Sequence, residues 1–455
     1  MEYRGHAPPL PSSEAERTAA LAEVQGELRP ASEWASDSSA RPVLDGLKVL
    51  DFTWLAAGPL STRVLADFGA TVVKVENNRR LDAMRILPPN IHGRTDPDSG
   101  GGFHSACAGK LSLNLDMKHD GARDVAIDLV RWADVVVESF SPRAMPAWGL
   151  DFDTLQDVKP DLIMVSSSLF GQDGPYAMMG GVGFMGAALG GFTRLTGWPD
   201  RDPTGPWGPY TDYVAPRATI AALLAALDHR RRTGQGQWVD VSQIEASLGF
   251  LGPQLVDFAL NGTMPEALGN RHPSMAPHGV YAAEGEDSWV AIACRDDHDW
   301  TRLCRAIDRD ALAADSHLAS FVGRKDQEDR VDQIVAKWAA SVTSAEAERC
   351  LTAAGVPAAA VIDHRTLSTE HQFSHRKHIA RVDHPLHEHT YIESTHIGLS
   401  RTPGQAGVAG PLLGEHTGLV LRELLGYDER RVRDLVRDGV VATSTLVPDG
   451  EECSS

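Results

Sequence analysis

Five cysteines, eighteen histidines and a surplus of carboxylates are the reactive groups available to this chain. Cys107, Cys294, Cys304, Cys350 and Cys453 form an odd, scattered set without C-x-x-C spacing, so neither a disulfide framework nor a zinc knuckle is implied and reduced thiols are expected. The histidines between His364 and His396 are irregularly spaced and have no cysteine among them; they read as titrating, solvent-exposed side chains of a surface loop, and no metal site is expected. A G-x-S-x-G elbow is absent. Carboxylate chemistry remains. Asp212 lies in GPYTDYVAPRATIAALLAAL, just ahead of a helix that Pro216 helps to start, where the positive end of the helix dipole favours an anion by ~0.3–1 kcal/mol. At an ordinary pKa of ~3.9 it is ionised at pH 7 and could act as a nucleophile without a general base. On the residues alone it reads as a helix cap or turn residue. Lys110 and Lys118, which flank an alternating strand, read singly as solvated surface residues.

Short β-branched runs alternating with amphipathic stretches must position these groups. LKVLDF (47–52), ATVVKVE (70–76), DVVVESF (134–140) and LIMVSSS (162–168) are continuous apolar strands, and GARDVAIDLVRWA (121–133) is helical between two of them. This alternation predicts an α/β fold: a Rossmann-like large domain with a parallel sheet covered on both faces. A long Ala- and Leu-rich helix is expected from about Pro216 to Arg232, with Arg230, Arg231 and Arg232 in its last turn and Gly234 as its stop. GVYAAEGEDSWVAIAC (279–294) reads as a hairpin and PAAAVID (357–363) as another strand, which gives a smaller α+β domain at 265–385. The expected organisation is an N-terminal extension over 1–42, a large domain over 43–245 completed by 400–445, the small domain, and a tail over 446–455. The LVLRELL spacing near the end predicts that the chain packs back on the large domain. With 43 basic against 62 acidic side chains the net charge is −19, which argues against a nucleic-acid partner. No run reaches the ~18 apolar residues of a membrane span and the first residues lack an apolar core, so a cytoplasmic protein is expected.

VLDFTWLAAGPLSTRVLADFGATVVKVE (49–76) reads as a βαβ unit without the G-x-G-x-x-G spacing of a dinucleotide site. Its residues Val49–Phe52, Ala57-Gly58-Pro59, Leu65-Ala66-Asp67 and Val73-Lys74-Val75-Glu76 resemble the opening of the class III CoA-transferases, the group that contains the formyl-CoA and crotonobetainyl-CoA:carnitine transferases. The likeness continues through Lys110–Leu113, Leu115–Lys118, Ala133–Glu138, Thr233–Gln237, Gly269–Pro273, Gly355–Pro357 and Pro411–Thr417, from about Leu44 to Val441.

That resemblance implies transfer of coenzyme A, as substrate, from an acyl-CoA donor to a free carboxylic acid. Asp212 would be the nucleophile that carries a covalent aspartyl intermediate. Lys118 and Leu115, with Leu55, would line the CoA site, and no metal is called for. Each oxyanion needs donors worth ~2.7–4 kcal/mol apiece; GGVGFMGAALGG (180–191) and the loop Gly269–Gly279 are candidates. Two such chains would interlock as a ring-like homodimer, and pairing with a related subunit is the variant of that assembly. The chain departs from the family pattern where Ala56 stands for a glutamine, Gly183 for an acid, Asn77 for a basic residue and Ala147-Trp148 for an Arg-Met pair. Two alternatives stay open. An α-methylacyl-CoA racemase would pair the aspartate with a histidine where this chain has Val182, and a non-catalytic CoA-binding subunit would account for the changes at Ala56 and Gly183. Trp54, Trp148, Phe184 and Met185 hint at an apolar acyl group.

Overall fold

A computed structural model describes residues 41–405 and 407–443. Apart from Arg41 and Pro42, the 1–42 extension lies outside the described residues, as does the 446–455 tail with Cys453. The described residues divide into two compact units, one formed by 41–193, Gly205–Met264 and 377–443, the other by Arg194–Thr204 and Pro265–Arg376.

The first unit is built on β1 (Lys48–Asp51), β2 (Thr71–Glu76), β3 (Leu111–Leu115), β4 (Val135–Glu138), β5 (Ile163–Ser168) and β6 (Gln237–Ser242). These six strands are parallel and lie in the order 3-2-1-4-5-6; a short strand, Val441–Ala442, runs antiparallel on the outer edge of β3. β1, β2, β4 and β5 carry apolar side chains on both faces because both faces are covered there. Leu50, Val73, Leu113, Val136 and Met164 pack on one side with α2 (Ala122–Trp132) and with Val420, Leu421 and Val432 of the returning chain. Val49, Val72, Val135, Ile163 and Val165 pack on the other with Leu65 of α1 (Ala57–Asp67) and with Leu223 and Ala226 of a long helix. That helix, α4 (Tyr210–Thr233), follows the short α3 (Gly183–Leu189).

Two expectations need correction. The long helix begins at Tyr210, not Pro216, so Asp212 is inside its first turn and Pro216 is an interior residue. Proline read as a helix starter because its missing N–H costs nothing there; inside α4 the bond it forgoes is the one to the carbonyl four residues back, that of Asp212. The histidine stretch is not all exposed loop either: Ile379–His384 and Glu388–Glu393 form an antiparallel hairpin that belongs to the first unit, and His384 and His387 are buried. His384 Nε2 lies 3.0 Å from His104 Nε2. Burial, with the cationic potential of His104 and His387, holds His384 down at about 4.

The second unit carries a three-stranded antiparallel sheet, β7 (His278–Ala282), β8 (Trp289–Ala293) and β9 (Ala358–Val361), in sequence order. Val290 and Ile292 of β8 close a core with Trp300, Leu303, Val331, Val335 and Leu351 from the helices Asp297–Ala306, Glu328–Ala339 and Ser344–Ala353.

Candidate active site

A parallel sheet of this strand order opens its crevice where the order reverses, outside the carboxyl ends of β1 and β4. The chain leaving β1 there is Thr53-Trp54-Leu55. Its three successive amides are each held by a side chain: Thr53 N–H donates to Asp51 Oδ1 (2.8 Å), Trp54 N–H to Ser139 Oγ (3.0 Å) and Leu55 N–H to Asp82 Oδ1 (3.1 Å). Leu55 sits at φ +63°, in the left-handed region. Just past β4, Phe140 N–H donates to Glu138 Oε2 (2.7 Å). Glu138 is fully buried, and burial, with a smaller push from Asp240, raises it to about 7 against its bonds to Ser166 and the Phe140 amide.

Beneath this loop lies a buried layer of charge. Lys110 is 3% exposed, which corrects its reading as a surface residue. Its ammonium donates to Asp51 Oδ2 (2.9 Å), Thr62 Oγ1 (2.7 Å) and the Pro59 carbonyl (2.9 Å). Burial alone would raise Asp51, but Lys110 and Lys74 outweigh it and hold the carboxyl at about 2. A charge pair this deep stays only because every donor and acceptor is matched.

Asp212 is the other candidate group. It is 7% exposed, in the first turn of α4, yet its carboxylate caps no amide of its own helix: Oδ2 accepts the N–H of Gly183, the first residue of α3, at 3.3 Å. The cap-or-turn reading therefore fails. Burial raises Asp212 from 3.8 to about 6, and the Gly183 amide offsets it in part. α3 can lie this close because its facing residues are glycines. A Cβ on Gly183 would come within 2.5 Å of the Pro209 carbonyl oxygen, and one on Gly186 within 2.5 Å of Thr211 Oγ1. The departure at Gly183 follows: no acidic side chain fits there, and the residue meets Asp212 through its amide. Phe184 and Met185, on the outer face of α3, are solvent-accessible, whereas Trp148 packs against Phe52 and Phe140.

The residues expected around CoA are not gathered at one point. Leu55 is at the switch-point loop. Leu115 ends β3 with its side chain in the core, 1% exposed, so it can meet a ligand only through its backbone. Lys118 is exposed on the following turn, where its amide donates to Asp116 Oδ1 (3.1 Å). Beside that turn is a cavity of about 290 Å³ lined by Asn78, Arg79, Asn114, Asp116 and the segment Gly439–Thr443. Arg79 pairs with Asp116 at 2.8 Å across it. Among the described residues, no group of three or more His, Cys, Asp or Glu could hold a metal ion.

Residues 44–417 match the model of CoA-transferase family III. The chain belongs to that family. This class III CoA-transferase is 34% identical to succinyl-CoA–D-citramalate CoA-transferase of Chloroflexus aurantiacus over 397 residues, 86% of this chain and 97% of that protein. It is 32% identical to the beta subunit of succinyl-CoA–L-malate CoA-transferase of the same organism, over 86% of this chain and 96% of that one. Among solved structures, a CAIB/BAIF family protein from Brucella suis superposes with a TM-score of 0.77 at 29% identity, over 85% of this chain and all of that one. The parallel-sheet α/β architecture of the CoA-transferase thus accords with the resemblance read from its motifs. Sequence reasoning had Gly183 in a candidate donor stretch, 180–191, without tying its amide to Asp212, and it missed the pair Lys110–Asp51; in both, the partners are far apart in the chain.

Proposed function

We propose that this CoA-transferase moves CoA from an acyl-CoA donor to a free carboxylic acid through a covalent intermediate on Asp212. The observation that carries the reading is a buried carboxylate, raised to about 6, with one backbone amide on one of its oxygens. Such a group is still ~90% ionised at pH 7 and more basic than an exposed aspartate, which favours attack on a thioester. Asp212 Oδ1 adds to the thioester carbonyl and CoA thiolate leaves, giving a mixed anhydride. The thiolate then attacks the aspartyl carbonyl; donor acid leaves and an aspartyl-CoA thioester forms. The acceptor carboxylate attacks that thioester, expelling CoA thiolate and forming a second mixed anhydride; the thiolate then attacks the acceptor's acyl carbon, which frees Asp212 as carboxylate and releases the new CoA ester. Throughout, the Gly183 N–H faces the second Asp212 oxygen, where negative charge gathers as thiolate adds.

The exposed ammonium of Lys118 suits a CoA phosphate, while Leu55 at the switch-point loop and the backbone at Leu115 would meet other parts of the extended CoA molecule. Succinyl-CoA is the first donor to try, since the two Chloroflexus proteins are named for it. Exposed Phe184 and Leu189 on α3, and Phe250, Leu255, Phe258 and Leu260 on and before the helix Gly252–Asn261, support an interlocked homodimer, because a lone chain rarely leaves so much apolar surface in water. A related subunit in place of the second copy is the variant, as the alpha and beta names of the malate enzyme suggest. The described cysteines are free thiols, in keeping with a cytoplasmic setting, and among the described residues no helix is long and apolar enough to cross a membrane.

The test is to incubate the enzyme with succinyl-CoA, quench with hydroxylamine or borohydride and map the modified peptide by mass spectrometry. Modification at Asp212 together with transfer to a free acid is expected. Epimerisation of a 2-methylacyl-CoA without exchange would make it a racemase, a reading weakened by Val182 at the histidine position. No adduct and no exchange on any acid would leave the CoA-binding subunit.

A further inference from the structure

We infer that the buried pair Lys74–Asp82 is a positioning device that holds Leu55 in its left-handed conformation and thereby sets the affinity of the switch-point loop for CoA. The inference rests on the reading above only in assigning that loop to CoA.

Lys74, on β2, and Asp82, which caps the short turn Ala83–Arg85, are both 2% exposed or less. Their work is shared out atom by atom. Lys74 Nζ donates to the Thr53 carbonyl at 2.6 Å and lies 3.3 Å from Asp82 Oδ2. Asp82 Oδ1 accepts two amides, those of Leu55 and Met84, each at 3.1 Å. The ammonium thus grips the loop's carbonyl at Thr53 while the carboxylate grips its amide at Leu55, two residues on. Between them Trp54 is tied across the crevice to Ser139.

Leu55 needs this grip. A γ-branched residue at φ +63° sits in a conformation that L side chains avoid, and it persists only when its surroundings over-determine it. The neighbouring ion pair Lys110–Asp51 reaches only Thr53, so among the described contacts the hold on Leu55 N–H comes from Asp82. Charge is needed for a second reason: Asp82 is the largest favourable charge on the buried Lys74 ammonium, which otherwise has one hydrogen-bond partner, the Thr53 carbonyl, and the weaker pull of Asp51 and Glu76. The strain belongs to the loop that rims the crevice, so releasing it should act on ligand affinity.

The experiment is calorimetric titration of the full chain with CoA itself. Asp82→Ala should weaken CoA binding about tenfold, equivalent to ~1.4 kcal/mol, with transfer kcat changed less than threefold and KM for succinyl-CoA raised in step. Asp82→Asn, which keeps shape and an acceptor oxygen, should weaken binding about threefold and covers the case in which Asp82→Ala does not fold. Adding Leu55→Gly to either variant should recover threefold or more of the loss, because glycine adopts positive φ freely; Leu55→Ala, which deletes the same side chain beyond Cβ, should recover none. A merely structural role for Asp82 would lower the melting temperature without that rescue. CoA affinity within twofold of wild type in both Asp82 variants, or equal rescue by Gly and Ala, overturns the inference. If the unmodified chain does not bind CoA at millimolar concentration, it is instead the proposed function that fails.

Discussion

Replacing Asp212 by Asn should abolish CoA transfer and at the same time make the protein more stable. The carboxyl is 7% exposed and raised from 3.8 to about 6 by burial. At ~1.36 kcal/mol for each tenfold change in proton affinity, that shift corresponds to ~3 kcal/mol by which the folded state disfavours the anion. The sign follows from proton uptake. Below pH ~3.8 the carboxyl is protonated in both folded and unfolded chains and nothing is lost. Between pH ~4 and ~6 the folded chain binds more protons than the unfolded one, so stability falls as pH rises; above ~6 the penalty is constant. Asparagine is neutral throughout, and its Oδ1 can still accept the Gly183 N–H. Allowing for relaxation and water entry, about half of the ~3 kcal/mol should appear, as a rise of ~3–6 °C in Tm at pH 7.5 for a domain of this size. Scanning calorimetry of both proteins at pH 4 and pH 7.5, beside an exchange assay, measures it. A Tm gain equal at the two pH values, or a loss at pH 7.5, would refute the burial reasoning. Exchange above a few per cent of wild type would refute the nucleophile. The same proton should appear in the wild-type enzyme as a fall in kcat/KM below an apparent pKa of about 6.

Gly183→Ala places a methyl 2.5 Å from the Pro209 carbonyl oxygen, so the α3 start must move and carry its amide off Asp212; exchange should fall at least tenfold by steady-state assay, with ~1–3 kcal/mol lost to overpacking. Lys110→Met strands Asp51 without its closest cation, and urea unfolding should show a loss of ~3–5 kcal/mol; a change below ~1 kcal/mol would place Lys110 in the surface class. Lys118→Ala should raise KM for acyl-CoA and flatten its salt dependence with little change in kcat, because an exposed charge that holds CoA equally in ground and transition states acts on binding.

Legibility varied along the chain with the range of the interactions concerned. Strands β1, β2, β4 and β5 were readable to within a residue or two because parallel strands buried on both faces are continuous apolar runs, and β3 was readable as an alternating one. The end of α4 was readable too: three arginines precede Gly234, whose φ of +75° is the stop that glycine permits. Its start was not, since Pro216 is locally at home at a helix start and only the packing of the Tyr210 turn decides otherwise. Lys110 was misread for a similar reason. Its carboxylate partner is 59 residues away, and nothing around position 110 announces it. His384 and His387 looked like loop residues because the two strands around the turn at 385–387 mix polar and apolar residues, and one of the groups that meet His384, His104, is 280 residues away.

The order of apolar runs, the helix stop signals and the motifs from Leu44 to Thr417 are local or additive properties, and the sequence by itself determined from them the α/β class and membership of CoA-transferase family III. Which groups are ionised, and how strongly, was decided by the tertiary structure alone. Asp212 and Asp51 are the same residue type with the same intrinsic acidity. Folding buries both, but it sets Asp51 against Lys110 and Lys74 and leaves it at about 2, while it gives Asp212 one amide and leaves it at about 6. Desolvation and charge pairing depend on which distant segments the fold brings within a few ångströms, and that information is carried by no single stretch of chain.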